Sequence, residues 1–223
     1  MIESDNKLYA NQIDIIRYDT SRWNFREKVA EMLELDSPDD LVRLHEICTH
    51  EKQKLGGDQH TIWHKRYYNK QDTHMIPFVR EFVKEFVCEY FGLDSVIYQK
   101  KPTFRVHEVG NVGVGAWHRD REYNHDSNEV NLWIPFTPAY DSNTVWTESE
   151  EGKEDFKPMN VSYGEILVFN GADLMHGNYT NGTPSTRVSF DMRVVDPNRF
   201  NPTGKDTVNN QKKFELGSYF EKI

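Results

Sequence analysis

Near residue 100 the hydrophobic pattern of this chain changes period, and that change limits the possible folds more than any other feature. Before it, apolar residues recur at helical spacing. Leu41, Leu44, Ile47 and Cys48 form one such set, and Phe78, Phe82, Phe86 and Tyr90 stand four apart in another. Ser37-Pro38-Asp39-Asp40 offers an N-cap, a proline for the first helical position and two acids for the positive end of the helix dipole. The second set predicts a helix over 76–91, with its aromatic stripe toward the core and Gly92 placed to stop it. From Lys101 onward the pattern turns strand-like. TFRVHEV alternates, VGVGAWH is small and extended, VNLWIPFTP, EILVFN and RVSFDMRVV are β-rich, and Gly, Asn, Asp and Pro turns separate them. Helices followed by short antiparallel strands specify an α+β fold whose strands close into a barrel or sandwich.

A chain of 223 residues suits one domain over 1–223, with a mainly helical part at 1–100, a strand core at 101–195 and a tail at 196–223. Residues 56–74, rich in His, Trp and Tyr without a clear period, read as a long loop, and His60, Trp63, His64 and Arg66 are candidates for a lid. Residues 140–158 read as a polar excursion between strands, and the tail is polar up to FELGSYF, expected to pack outside or to mediate contacts. The polar, acidic first residues lack the features of a signal peptide, and no apolar run reaches the roughly 20 residues of a membrane span, so a cytoplasmic location is expected. A net charge of −9 argues against nucleic-acid backbone binding and slightly favours a cationic or amino-bearing small-molecule substrate. Cys48 and Cys88 make no disulfide framework and read as buried reduced thiols.

His118-Arg119-Asp120 follows the VGVGAW segment. Residues i and i+2 of an extended chain project to one side, so His118 and Asp120 can meet the same ion. In a chain with nine His, one His-x-Asp arises easily by chance. The pair gains weight from a later residue: His176 closes EILVFNGADLMHG and can bring a third ligand from a neighbouring strand. Two His and one carboxylate on one face of an octahedron leave three positions open, which suits an iron(II) that must hold a chelating cosubstrate and O2. A structural zinc site would be closed and usually thiolate-bound, whereas both cysteines lie in the helical half. Arg187 and Ser189 share a face of the next strand and suit the far end of a dicarboxylate. Arg193 is a rival, about 20 Å further along the same face.

Alternation nominates further residues. Arg105 with His107, and Asn131 with Trp133, lie opposite apolar sets that should seek the core, which leaves them to line a pocket or an open outer face. His107 is also a conceivable metal ligand. Trp117, Arg119, Arg121 and Tyr123 flank the motif and are candidates for the substrate entrance.

The order HRD at 118–120, His176 and RVS at 187–189 resembles the iron(II)/2-oxoglutarate-dependent oxygenases, over about residues 101–195. The GEILVFNGADLMHG segment is most similar to the phytanoyl-CoA-hydroxylase-like branch, and the short chain is similar to small antibiotic-biosynthesis dioxygenases of the streptomycin type. The resemblance implies a double-stranded β-helix (jelly-roll, cupin-like) core with the N-terminal helices packed outside. It implies Fe(II) on His118, Asp120 and His176, 2-oxoglutarate held at its far carboxylate by Arg187 and Ser189, and hydroxylation of a small molecule with release of succinate and CO2. Related halogenases carry Gly or Ala where this chain has Asp120, so halogenation is disfavoured. Two other classes remain open: a non-oxidative metal-dependent cupin isomerase or epimerase, and a catalytically silent binding module. Neither the substrate nor the oligomeric state is written in these motifs.

Overall fold

The computed structural model describes residues 7–47, 61–112, 117–207 and 211–223. In the N-terminal part a strand, β1 (Ile13–Arg17), precedes the helices α1 (Phe25–Leu33) and α2 (Leu44–Ile47). The Ser37 cap forms as expected: its Oγ accepts the Asp39 N–H at 3.1 Å and the Asp40 carboxylate accepts the Ser37 N–H at 3.2 Å. The turn it opens, Pro38–Arg43, is 3-10 rather than α. Leu41 and Leu44 are buried, Ile47 is exposed, and Cys48 lies outside the described residues.

The expected loop at 56–74 is a correction. Residues 56–60, His60 among them, lie outside the described residues, and from Ile62 the chain is helical. Helix α3 (Ile62–Lys70) runs through a π turn at Gln71–Met75 into α4 (Ile76–Phe82), and through a second at Val83–Val87 into α5 (Cys88–Phe91). The stripe is Trp63, His64, Tyr67, Gln71 and Met75, all buried. Two of the five are polar, which hides the period from an apolar count: Thr61 Oγ1 meets His64 Nδ1 at 2.9 Å, and Gln71 Nε2 donates to the Pro102 carbonyl at 3.0 Å. Trp63 and His64 are therefore core residues, not a lid, and Arg66 donates to the Leu33 carbonyl. Gly92 stops the helix at φ 67°, in the left-handed region. Cys88 is a buried free thiol.

The remaining strands are β2 (Ile97–Gln99), β3 (Thr103–His107), β4 (Val130–Pro135), β5 (Trp146–Thr147), β6 (Lys157–Pro158), β7 (Glu165–Phe169), β8 (His176–Gly177), β9 (Arg187–Val195) and β10 (Phe220–Lys222). They form a large sheet in the order β1-β7-β4-β9-β2-β10, with β3 also on β9, and a small sheet β6-β5-β8. β1 and β10 thus join the large sheet from segments read as helical and as tail, and β5 and β6 arise within the expected polar excursion. All paired strands in both sheets are antiparallel.

Strand β9 explains the layering. All nine residues are buried, although every second one is polar between Arg187 and Arg193. Val188, Phe190, Met192 and Val194 join Phe104, Val106, Leu132, Ile134, Ile166 and Val168 in one core with the helices. There Phe25 meets Phe190 edge-on at 5.3 Å, and Tyr67 stacks on Phe104 at 4.0 Å. The opposite face carries Arg187, Ser189, Asp191 and Arg193 toward the inside. Phe190→Ala should therefore cost about 3–5 kcal/mol, read as a lower denaturant midpoint at unchanged slope. Phe214 and Phe220 of the tail pack with Ile97 and Val195. No helix of the described residues is long and apolar enough to cross a membrane.

Candidate metal centre

His118 and His176 are held together by reciprocal backbone hydrogen bonds, each N–H donating to the other's carbonyl at 3.0 Å. His176 begins β8, while His118 precedes a 3-10 turn, Asp120–Tyr123. The Asp120 N–H donates to the Gly171 carbonyl at 2.8 Å, which turns its side chain back between the two imidazoles. Asp120 Oδ1 lies 3.3 Å from His118 Nε2 and 3.6 Å from His176 Nε2, and one ligand atom from each residue falls within a 4.8 Å cluster. Metal–ligand bonds of about 2.1 Å at right angles would put neighbouring ligand atoms about 3.0 Å apart, so the three sit close to the spacing an octahedral face requires.

The surroundings fix the chemical form of two of the ligands. His176 Nδ1 faces the Leu174 carbonyl at 2.9 Å, where only an N–H is useful, so Nε2 is left with its lone pair toward the cluster. Burial pushes the His176 imidazolium down, against the pull of Asp120, which keeps the ring neutral as a ligand must be. Asp120 Oδ2 accepts from Asn131 Nδ2 at 2.9 Å and from Arg193 Nη2 at 2.8 Å, leaving Oδ1 for the cluster. Burial alone would raise the Asp120 carboxyl, but the Arg193 guanidinium and the His118 hydrogen bond outweigh it and hold it well below the usual carboxylate range. Gly171 is needed for this approach: a Cβ there would stand 2.6 Å from Asn131 Nδ2.

A second set stands along the same cavity, of about 60 Å³, which Arg105, His107, Asn131, Trp133, Arg187 and Arg193 line together with the triad. Arg187 is 3% exposed. Its Nε donates to the Asn143 carbonyl at 3.0 Å and its Nη1 to Ser189 Oγ at 2.9 Å, and its guanidinium lies over the Trp133 ring at 5.4 Å. Among the described residues no carboxylate lies within ion-pair distance of it, and burial, then the charge of Arg105, pushes it down from the ordinary arginine range to about 9 against the more distant pull of Asp191. A buried cation without a counter-ion is costly, and it marks a place for an anion. His107, pushed down to about 4 by burial and then by the charge of Arg187, is neutral: its one N–H serves the Asn111 carbonyl from Nε2 at 2.9 Å, and its Nδ1 can accept from Arg187 Nη2 at 3.5 Å, away from the cluster.

Several nominated residues have other places. Arg193 spends its guanidinium on Asp120, Asp191 and Gln99, so it orients a ligand and is not a rival clamp. Trp117 packs on Phe156 and Tyr179 over Gly177, outside the cavity lining. Arg121 pairs with Glu151 and Asp173, and Tyr123 meets the His118 ring edge-on at 4.9 Å. Arg119 points away from the cluster, to Glu148 at 2.9 Å and the Asp173 carbonyl at 2.8 Å.

Glu148 and Asp191 were not among the nominated residues. Glu148, fully buried, accepts the Met175 N–H at 2.7 Å and so ties the turn before His176 to the Arg119 between the other two ligands. Lying within a polar stretch, it carries no sequence signal. Asp191 could have been found, since it continues the Arg187–Ser189–Arg193 face, and it pairs with both Arg105 and Arg193. Glu148→Gln removes the charge but not the shape. It should weaken metal binding by about 10- to 100-fold in chelator competition, with the three ligands intact.

The chain matches no established family profile. It is 35% identical over 208 residues to the streptomycin biosynthesis protein StrG of Streptomyces griseus, covering 93% of this chain and 97% of StrG. Among solved structures it resembles EctD from S. alaskensis with 2-oxoglutarate and 5-hydroxyectoine, with TM-score 0.55 and 12% identity over 92% of this chain and 76% of EctD. It also resembles CytC3 with Fe(II) and α-ketoglutarate, with TM-score 0.52 and 13% identity over 94% of this chain and 88% of CytC3. At such identities the structural likeness speaks for the fold, and the near full-length match to StrG speaks for kinship. The chain belongs to the family of the streptomycin biosynthesis protein StrG, built on the double-stranded β-helix fold of the iron(II)/2-oxoglutarate-dependent oxygenases.

Proposed function

We propose that this protein is a non-haem iron(II)- and 2-oxoglutarate-dependent dioxygenase that hydroxylates an unactivated C–H bond of a small molecule, with the whole chain acting as one domain. The observation that carries the reading is a buried guanidinium, Arg187, without a carboxylate partner in the same cavity as a His/Asp/His cluster. A metal isomerase would need the cluster but would leave the charge of Arg187 without a use.

His118, Asp120 and His176 would hold the iron, with His176 neutral and Asp120 ionised as ligands need. Arg187 and Ser189 would hold the far carboxylate of 2-oxoglutarate, which supplies the missing counter-ion. Iron with 2-oxoglutarate and O2 would supply the oxidising power, with one oxygen atom of O2 going to the substrate and the other to succinate as CO2 is lost. Asn131 and Arg193 keep the Asp120 carboxylate turned toward the metal position throughout. Trp133, under Arg187, and Phe169, edge-on to His176 at 5.2 Å, close the inner wall against water.

The test is succinate formation in air from iron(II) and 2-oxoglutarate, first without substrate and then across amino acids, aminosugars and acyl thioesters. A compound that accelerates succinate release should gain one oxygen atom by mass. No succinate above a metal-free control under any condition would rule the reading out.

A further inference from the structure

Three arginines face the cavity, and their engagement differs. Arg193 is spent on Asp120, Asp191 and Gln99. Arg187 is bonded to Asn143 and Ser189 and faces the place proposed for the cosubstrate. Arg105 makes a single hydrogen bond, from Nε to Asp191 Oδ1 at 2.8 Å. A guanidinium carries five N–H donors, so four of them, on its two terminal nitrogens, have no partner among the described residues. Its side chain is 26% exposed while Asp191 beneath it is 9% exposed, so the anchored end is buried and the free end opens to the cavity.

Its side-chain partners distinguish Arg105 from the cosubstrate clamp. β9 has β4 on one side and β3 on the other: Trp133 pairs with Asp191, and Arg105 pairs with Ser189. Arg187 lies over Trp133 of β4, with its Nη1 on Ser189 Oγ and its Nη2 3.5 Å from His107 Nδ1. Arg105, two residues before His107 on β3, is held instead by Asp191 and leaves its two terminal nitrogens unpartnered among the described residues.

Charge points the same way. Among the lining residues, Arg105, Arg187 and Arg193 oppose Asp120 and Asp191, three cations against two carboxylates. One positive charge is left over. A divalent metal and a dianionic cosubstrate cancel each other, so the excess survives their binding. The chain as a whole carries −9, which favours a cationic substrate, yet the cavity has the opposite sign.

We propose that Arg105 is an anion-recognition residue for the substrate, which therefore carries a carboxylate or a phosphate group. This rests on the dioxygenase reading, because Arg187 must be taken by the cosubstrate. Either anion can accept two N–H bonds from one guanidinium in parallel, which fixes orientation as well as affinity.

The test uses protein loaded anaerobically with one equivalent of iron(II) and saturating 2-oxoglutarate, titrated by calorimetry with acetate and, separately, with methyl phosphate. At least one probe should bind with 1:1 stoichiometry, and which one does distinguishes a carboxylate-bearing from a phosphate-bearing substrate. In Arg105→Met that binding should weaken by about tenfold or more, the scale of a lost charged hydrogen bond, with 2-oxoglutarate affinity unchanged. Arg105→Lys keeps a cation for Asp191 and guards against misfolding, but lacks the fork; it should bind the probe at an intermediate strength. Absence of probe binding in the wild type, or a loss in Arg105→Met that falls on 2-oxoglutarate instead, would overturn the proposal. Failure of 2-oxoglutarate to bind the wild type at all is a separate result, and it would strike the dioxygenase reading.

Discussion

Replacing Arg187 by methionine should cut 2-oxoglutarate affinity by about 10²- to 10³-fold while leaving iron bound, the expected loss when one partner of a buried charge pair is removed. The same change should stabilise the protein without cosubstrate, by about 1–3 kcal/mol, because it removes a buried cation with no carboxylate at ion-pair distance among the described residues. These opposite signs distinguish the role. A merely structural arginine would lower stability when lost, and a metal-site residue would release iron. Thermal unfolding with and without 2-oxoglutarate reads both effects at once. The wild type should be stabilised by the cosubstrate, and the variant should be more stable alone yet unresponsive at the same concentrations. Loss of iron from the variant would show that Arg187 serves the metal ligands instead.

Arg193→Met should do the opposite, destabilising the metal-free protein by about 3–5 kcal/mol, because Asp120 then lies buried without its cation and Asp191 keeps only Arg105. Its pH dependence follows from the direction of the Asp120 shift. In the wild type the folded-state carboxyl is held below its ordinary value of 3.8, so its contribution is present above that value and is lost as pH falls further. Without Arg193 the largest lowering influence is lost while burial still opposes the charge, so the same carboxyl moves up and its ionised form is stabilised less. The stability gap between wild type and variant should therefore widen from acid to neutral pH. Added iron should narrow it, since the metal then supplies the missing positive charge. A gap independent of pH would show that Arg193 acts by packing alone.

Much of the inner face was legible because strand alternation is a strict rule. Arg105, His107, Asn131, Trp133, Arg187 and Arg193 line the cavity, and Ser189 stands beneath Arg187 on the same strand face, opposite the apolar sets that fill the helix-backed core. Alternation does not say what a side chain meets across the cavity. Arg193 and Asp120 are 73 residues apart, and only the fold, which brings the turn Asp120–Tyr123 against strand β9, makes one the partner of the other. Trp117 is subject to the same limit, since its neighbours Phe156 and Tyr179 come from distant loops. Helix 62–75 was hidden for another reason: His64 and Gln71 are polar residues satisfied inside the core, so an apolar count misses two of five buried positions. Net charge is the poorest guide to the pocket, because a global sum of −9 does not describe a cavity lined by three arginines and two aspartates.

The central claim is that one cavity holds iron on His118, Asp120 and His176 and 2-oxoglutarate between that iron and Arg187. Its most direct test is anaerobic titration of 2-oxoglutarate into iron(II)-loaded protein, monitored through the visible metal-to-ligand charge-transfer band. The band should grow to saturation at one equivalent, require a far higher concentration in Arg187→Met, and be absent in His176→Ala. Iron that binds to the wild type with no band, or a band that Arg187→Met leaves at the same affinity, would contradict the claim.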